Sequence, residues 1–495
     1  MRNFIMVTLC LLYCNQTLAT EAIDQQGPVP ILLETENDID CIDYLMASSA
    51  KRPKTTTVFK FPEPKHGWLE SISNDEPIEW KLYSERENVY LVTTFINTLS
   101  ADQKFKLEII NGDSLEYVID NKGWQKHHSG KIKIPSGLSL LRLTRLSNSN
   151  DIQLKSIELL NLNYKSAYDT RVKNFKSDTF TFSKYPYGLM FQYGGWGYPQ
   201  TGDAKSLDDQ ANYFDVDKFV EMIKGTGAQY VIWSATWWTY EINAPIAEVD
   251  ILLNHSNRTS SRDLIGDIAT ALNEEGIGFF LYYHTGQDSH LGYNTTDWWQ
   301  LNQWPSSFTA TGTGDRRLFF SNWKRVIGAI GERYGEMLDG WFFDDGLVYY
   351  PAPFEELAIA AKEGNAIRLI SYNSWKIGHY TDFEDLSFGE VCKAEGAPVG
   401  GDGLYMSTGD KGLYGHCMYR MEDTWGIYMA NQRIGSPQFT VESAFQTVME
   451  NSSRSVPTSF NLMMYEDGNV SQESLEVLRG LKRRLEEFGN TDGSW

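Results

Sequence analysis

The residues of this chain best suited to chemistry lie in Leu338 to Gly346, LDGWFFDDG, where a hydrophobic run breaks off into two carboxylates, Asp344 and Asp345, and a glycine. A buried strand is expected to hold Trp341, Phe342 and Phe343, whereas a carboxylate beside them must be solvated, paired or functional. A strand stop followed by an Asp-Gly turn accounts for the same residues. Other strand-like runs end in a similar mixture. They contribute Gln192, Tyr193 and Trp196, then Trp237, Trp238 and Glu241, then His284, Asp288 and His290, and after the Asp pair Asn373, Trp375 and Glu390. The last stretches add Glu422, Asp423, Trp425, Glu466 and Asp467. Sugar rings stack apolar faces on aromatics and offer hydroxyls to polar acceptors, so this mixture suits a carbohydrate better than a nucleotide or lipid. Glycoside hydrolysis also needs two carboxyl groups, one protonated and one ionised.

Two rival chemistries have weaker support. His284, Asp288 and His290 are close enough in sequence to ligate a cation, but no HExxH pattern or paired cysteine spacing points to zinc, and neither metal nor cofactor is expected. No G-x-S-x-G elbow follows a strand, which disfavours a Ser-His-Asp hydrolase.

The elements that position these residues alternate strand with helix. YGLMFQYG precedes helical FDVDKFVEMIKGTG, AQYVIWSA precedes RDLIGDIATALNEEG, IGFFLYYH precedes NWKRVIGAIGERYGE, and GWFFDD precedes PFEELAIAAKEG. AIRLISYN, DLSFGE, helical FTVESAFQTVMEN, strand-like FNLMMYE and helical SQESLEVLRGLKRRLEEFG complete the series. Repeated βα units predict an α/β fold, a (β/α)8-type barrel over 185–488, with active-site residues at the C-terminal ends of its strands. GGWG in FQYGGWGYPQ lacks the spacing of a phosphate loop, which counts against a dinucleotide enzyme. Upstream, residues 28–165 read as short strands divided by turns, a β-sandwich whose Trp68, Trp80 and Trp124 read as core rather than as ligand platforms, and polar 166–184 reads as a linker.

The chain has 495 residues, which fits two domains, and 15 Trp and 27 Tyr among them. Its formal charge of -21 argues against nucleic acid or anionic lipid as the main partner, leaving an oligosaccharide or polysaccharide as the expected one. Arg2, the apolar run from Phe4 to Tyr13 and the small residues ending at Ala19 have the layout of a secretory signal peptide, 1–19, so a secreted protein without membrane insertion is expected. Cys10 and Cys14 lie in that signal, leaving Cys41, Cys392 and Cys417; a Cys392 to Cys417 disulfide and two free thiols are both open.

The ordered blocks resemble the α-L-fucosidase family of retaining glycoside hydrolases. YGLMFQYGGWG is similar to that family's first strand, FDVDKFVEMIKGTGAQYVIWSATWW to its helix and second strand, and ERYGEMLDGWFFDDG to its nucleophile segment. MEDTWGIY and NLMMYEDGNVSQESLEVLRGLKRRLEEFG are similar to its closing blocks. In the nucleophile segment the family's aspartate follows an aromatic pair, which makes Asp344 the implied nucleophile, with Asp345 capping the following loop or binding a substrate hydroxyl or a cation. DFEDLSFGE resembles the stretch that ends in the general acid/base, implying Glu390, with Glu384 and Glu395 as further candidates. Family members carry a histidine after the first strand and a His-His pair after the second, whereas this chain has Gln192 and Trp237-Trp238. A rebuilt sugar pocket is therefore expected, formed by Gln192, Trp196, Trp237, Trp238, His284, Asp345, Asn373 and Trp425, with His284, His379 and His416 as candidates to replace the lost imidazoles from other loops. Its substrate would be a glycan containing fucose, a modified or sulfated fucose, or another deoxy or 6-hydroxyl sugar, with endo action on a fucan as a variant. A non-catalytic carbohydrate-binding protein is the rival class, and a lyase using Tyr283 or His284 as base is a third.

Overall fold

The computed structural model describes residues 30–33, 41–52, 58–59, 68–70, 72, 77–147, 152–237, 241–253, 258–284, 317–344, 349–373, 380–390, 404–406 and 412–492. It divides into two compact units that meet in sequence near Lys165.

In the first unit, strand alternation sends every second side chain to a common core. Phe105, Leu107 and Ile109 of Gln103–Ile109 point inward with Leu141 and Leu143 of Gly137–Arg145, while Lys104, Lys106 and Glu108 point away. One sheet orders Ile31–Leu32, Ile78–Ser84, Gly137–Arg145, Gln103–Ile109 and Ser114–Ile119. The other orders Val58–Phe59, Trp68–Leu69, Ile152–Asn161, Asn88–Thr98 and Gly123–Ile134, with Ile42–Met46 added on Ile152–Asn161. Trp80 is fully buried and donates its indole N–H to the Met46 carbonyl (3.0 Å), and Trp68 is also core, so neither is a ligand platform.

The second unit is built on a curled, mainly parallel sheet. Its strands are β1 (Tyr187–Phe191), β2 (Tyr230–Ser234), β3 (Gly278–Tyr283), β4 (Gly340–Phe343), β5 (Leu369–Asn373), β6 (Leu386–Phe388), β7 (Cys417–Arg420) and β8 (Thr458–Leu462). β1 to β6 pair parallel in chain order, β8 pairs with β1, and β7 pairs with β8. Met418 N–H of β7 donates to the Gly389 carbonyl just beyond β6 (2.7 Å), so the two ends of the series come together. A hairpin, Leu404–Met406 with Gly412–Gly415, extends from β6.

Helices α1 (Val216–Thr226), α2 (Leu264–Glu274), α3 (Arg317–Tyr334), α4 (Phe354–Ala361), α5 (Val441–Ser452) and α6 (Gln472–Asp492) follow β1, β2, β3, β4, β7 and β8. Local chemistry sets their limits. The Asp215 and Asp263 side chains accept from the third residues of α1 and α2, and Thr440 and Ser443 form a capping box on α5. Gly227, at φ +81°, closes α1 in the left-handed conformation that glycine adopts freely.

Residues 166–184, expected as a linker, are in part helical. Lys165–Phe175 buries Tyr168 and Val172, and Tyr168 donates to Asp382 (2.8 Å). The short helix Phe180–Ser183 inserts Phe182 into the interior of the curled sheet, 4.9 Å from the Phe280 ring and 5.0 Å from Tyr230. The expectation missed this because apolar residues are sparse in the segment, although Tyr168 and Val172 stand one helical turn apart. Among the described residues, no helix is long and apolar enough to cross a membrane. Cys417 is disulfide-bonded, while Cys392 lies outside the described residues.

Candidate active site

Alternation along β4 decides which side chains reach the interior. Trp341 and Phe343 face the helices: the Trp341 indole donates to the Ala361 carbonyl of α4 (3.0 Å), and Phe343 packs on Trp323 of α3 (5.6 Å). Phe342 faces inward, 5.5 Å from Phe280 and 5.1 Å from the His416 ring. Asp344, next in phase with Phe342, emerges where the strand ends, held by its N–H on the Tyr283 carbonyl (2.8 Å).

The neighbouring strands complete the arrangement. Tyr282 of β3, inward like Phe280, donates its hydroxyl to Asp344 Oδ2. Asn373, the buried last residue of β5, uses one amide nitrogen twice: Nδ2 donates to Asp344 Oδ1 (2.6 Å) and to Glu390 Oε2 (2.8 Å). Glu390 stands two residues beyond β6. The two carboxylate oxygens are therefore no farther apart than the two contacts laid end to end, which stays within the ~5.5 Å of a retaining pair and short of the ~6.5–9.5 Å that an inverting pair needs for its water.

Glu390 is exposed as a residue, but its carboxylate end is turned in toward Asn373 and Asp344. The proton belongs to that end, so the enclosed environment governs its titration. Burial first, and the negative charge of Asp344 second, push its pKa up to about 7, against opposing pulls from the Asn373 hydrogen bond and the Arg420 charge.

Aromatic residues stand beside this pair. Trp237 is buried against Trp196 (6.3 Å) and Tyr428 (5.7 Å), and Trp425 is half-buried at the same cluster. Gln192 Oε1 and Trp196 Nε1 are buried and have no hydrogen-bond partner. Trp233 Nε1 and Trp323 Nε1 in the packed core share that status, so it does not by itself mark a ligand site.

Several expected site residues take other places. Glu384 is fully buried and accepts from the Tyr380 and Thr381 backbone N–H groups (2.9 and 3.4 Å), which ties down its own loop. Glu466 pairs with Lys205 (2.8 Å) and Glu241 with Arg258 (3.5 Å). His416 lies in the sheet interior with Nε2 on Ser459 Oγ (2.8 Å), and burial lowers its pKa to about 3, so the ring is neutral. Tyr283 faces outward, stacked on Trp323 (5.9 Å), which removes it as a base in the cleft. His284 is buried, its backbone N–H and C=O both engaged by Thr236 Oγ1 (2.9 and 2.7 Å). Trp238, Asp288, His290, Asp345, Trp375, His379 and Glu395 lie outside the described residues. Sequence reading missed Tyr282, whose signal is its alternation phase with Phe280, and Arg420, a single basic residue with no pattern around it.

Comparison with known proteins completes the description. No curated protein matches the sequence. Among solved structures, the unliganded alpha-L-fucosidase AlfC from Lactobacillus casei is similar at 18% identity, covering 65% of this chain and 99% of that one, with a TM-score of 0.44. Alpha-L-fucosidase isoenzyme 1 from Paenibacillus thiaminolyticus is 16% identical over 66% of this chain and 77% of its own, with a TM-score of 0.46. The endo-fucoidan hydrolase P5AFcnA from glycoside hydrolase family 107 is 15% identical over 62% of this chain and 94% of its own, with a TM-score of 0.45. The model of the alpha-L-fucosidase family matches residues 158–489, well over half of the sequence, and the chain belongs to that family.

Proposed function

We propose that this chain is a secreted, retaining glycoside hydrolase acting on fucose-containing or related glycans. Its curled sheet reads as a (β/α)8 barrel and its N-terminal unit as a β-sandwich, and the signal-like first 19 residues support secretion. The single observation that carries the mechanism is the Asn373 amide nitrogen shared between Asp344 and Glu390. It supports two carboxyl groups at retaining distance, one of them kept protonated near neutral pH.

In the first step an Asp344 oxygen attacks the anomeric carbon, the glycosidic C–O bond breaks, and the Glu390 proton passes to the departing oxygen. In the second, Glu390 as carboxylate takes a proton from water, whose oxygen attacks the same carbon and displaces Asp344. Two inversions give net retention. Tyr282 and Asn373 hold the nucleophile's two oxygens, so the attacking lone pair is aimed before the sugar arrives. Gln192 and Trp237, standing where family members carry histidines, support a changed choice of sugar, with Trp196 packed against Trp237.

The test is product release by the mature protein from a panel of α-L-fucosides and fucose-containing polysaccharides, with Asp344→Asn alongside and the product anomer followed by NMR. Turnover lost in the variant and a first-formed anomer of unchanged configuration uphold the reading. An inverted product, or an active Asp344→Asn, overturns it. Binding without product, unchanged in Asp344→Asn, would move the chain to the class of carbohydrate-binding proteins.

A further inference from the structure

Arg420 closes β7 at the same strand ends that carry Asp344 and Glu390. Its guanidinium lies 5.7 Å from the Trp425 ring centre, and one nitrogen, Nη1, donates to the Asp423 carbonyl (2.7 Å). Trp425 is itself fixed from β8, where buried Asn461 donates to its carbonyl (2.8 Å). Among the described residues Arg420 has no ion-pair partner, and it is exposed. By contrast, Lys205 is paired with Glu466 and Arg258 with Glu241. A stacked guanidinium held by one hydrogen bond keeps most of its N–H fork free, in the planar geometry that fits a sulfate or carboxylate.

The side of the cleft follows from chemistry. In the hydrolase reading above, on which this inference rests, Glu390 protonates the bridging oxygen that leaves with the aglycone sugar. The Met418 N–H on the Gly389 carbonyl (2.7 Å) joins the end of β7, which carries Arg420, to the segment that carries Glu390, so Arg420 lies on the Glu390 side of the cleft, toward that leaving group. A chain of formal charge -21 repels polyanions at long range, and an unpaired local cation is what would let one dock.

We infer that Arg420, stacked on Trp425, is an anion-accepting subsite for the leaving-group sugar, and that the substrate carries a sulfate ester or a carboxylate at that unit. The same contact couples recognition to chemistry. Arg420 lowers the Glu390 pKa; an anion bound on the guanidinium cancels that pull, so the acid keeps its proton to higher pH when the charged sugar is in place.

The experiment compares wild type, Arg420→Gln and Arg420→Lys on matched oligosaccharides that are neutral, sulfated or carboxylated at the leaving-group unit. Wild type should prefer one anionic form over its neutral partner by about tenfold or more in kcat/KM, the worth of a charge-assisted hydrogen bond, and the better arm names the anion. Arg420→Gln should erase the preference through KM, and Arg420→Lys should restore part of it. Equal losses on neutral and anionic substrates would mean a structural role, and an undiminished preference would mean the anion binds elsewhere; either result overturns the inference. Calorimetric binding to Asp344→Asn with and without Arg420→Gln separates this claim from the hydrolase reading. A loss confined to the anionic oligosaccharide upholds the subsite even if nothing is hydrolysed, and equal or absent binding of the anionic and neutral forms rejects it.

Discussion

Among the described residues, two buried glutamate carboxyls are pushed up to about 7, and burial is the leading cause for both. Glu422 is fully enclosed: Oε2 accepts from the Met463 N–H (3.0 Å) and Oε1 from the Ser474 hydroxyl, so it ties the end of β8 to the start of α6. Glu390 shares Asn373 with a second carboxylate, and the Asp344 charge adds to its shift. One carboxyl has every oxygen engaged by neutral structural donors. The other stands beside a second acid at the open end of the sheet. A raised pKa by itself therefore does not identify chemistry; its partners and its access to solvent do.

The sharpest break of that comparison is Asp344→Asn. The amide is nearly isosteric and still accepts from Tyr282, so Tm should move by a few degrees at most while kcat falls on the order of 10⁴-fold. Glu390→Gln comes next, with a loss of about 10²- to 10⁴-fold on a sugar leaving group and a smaller one on an aryl group that departs without a proton. In wild type, kcat/KM should decline as pH rises through about 7, because the acid must hold its proton in the free enzyme. Glu390→Gln should lack that limb. A limb that survives would assign the titration to another group.

How much of this was readable beforehand depended on the length and contrast of each pattern. Asp344 was legible because Trp341, Phe342 and Phe343 make an apolar run that a carboxylate interrupts. Asn373 was legible as the polar end of the short strand LISYN. β6 spans three residues, so the strand pattern offered Glu390 only as one strand-end carboxylate among several, and the family resemblance gave it the acid/base role. Tyr282 and Tyr283 are chemically identical and face opposite ways, so their assignment needed a phase reference that Phe280 supplies. Glu422 and Glu466 sit at strand ends like the catalytic candidates, and only their partners, Ser474 and Lys205, reveal structural roles. The 166–184 segment is polar overall, which concealed a single plugging aromatic, Phe182.

Asn373→Ala sharpens the comparison from the other side. It deletes the donor common to both acids, leaving Asp344 less fixed, and kcat should fall about 10- to 100-fold. Because the Asn373 hydrogen bond lowers the Glu390 pKa, its removal should move the alkaline limb of the pH profile to higher pH. A structural defect alone would lower activity without moving that limb.

Glu422→Gln should leave turnover and its alkaline limb unchanged and alter only stability. The folded pKa stands above the ordinary carboxyl value of 4.5. At pH below that value both folded and unfolded chains hold the proton and stability is full. As pH rises toward about 7 the unfolded chain has released a proton that the folded chain retains, so stability falls, and above the folded pKa it levels off with the enclosed site carrying charge. Glutamine cannot ionise, keeps an acceptor for the Met463 N–H and offers Ser474 a donor. The variant should therefore match wild type in urea unfolding near pH 4 and exceed it near pH 8 by on the order of 1–3 kcal/mol. If it instead shifted the activity limb, Glu422 would be coupled to catalysis, and the separation between a structural and a reactive carboxyl would fail at the point where their partners differ most.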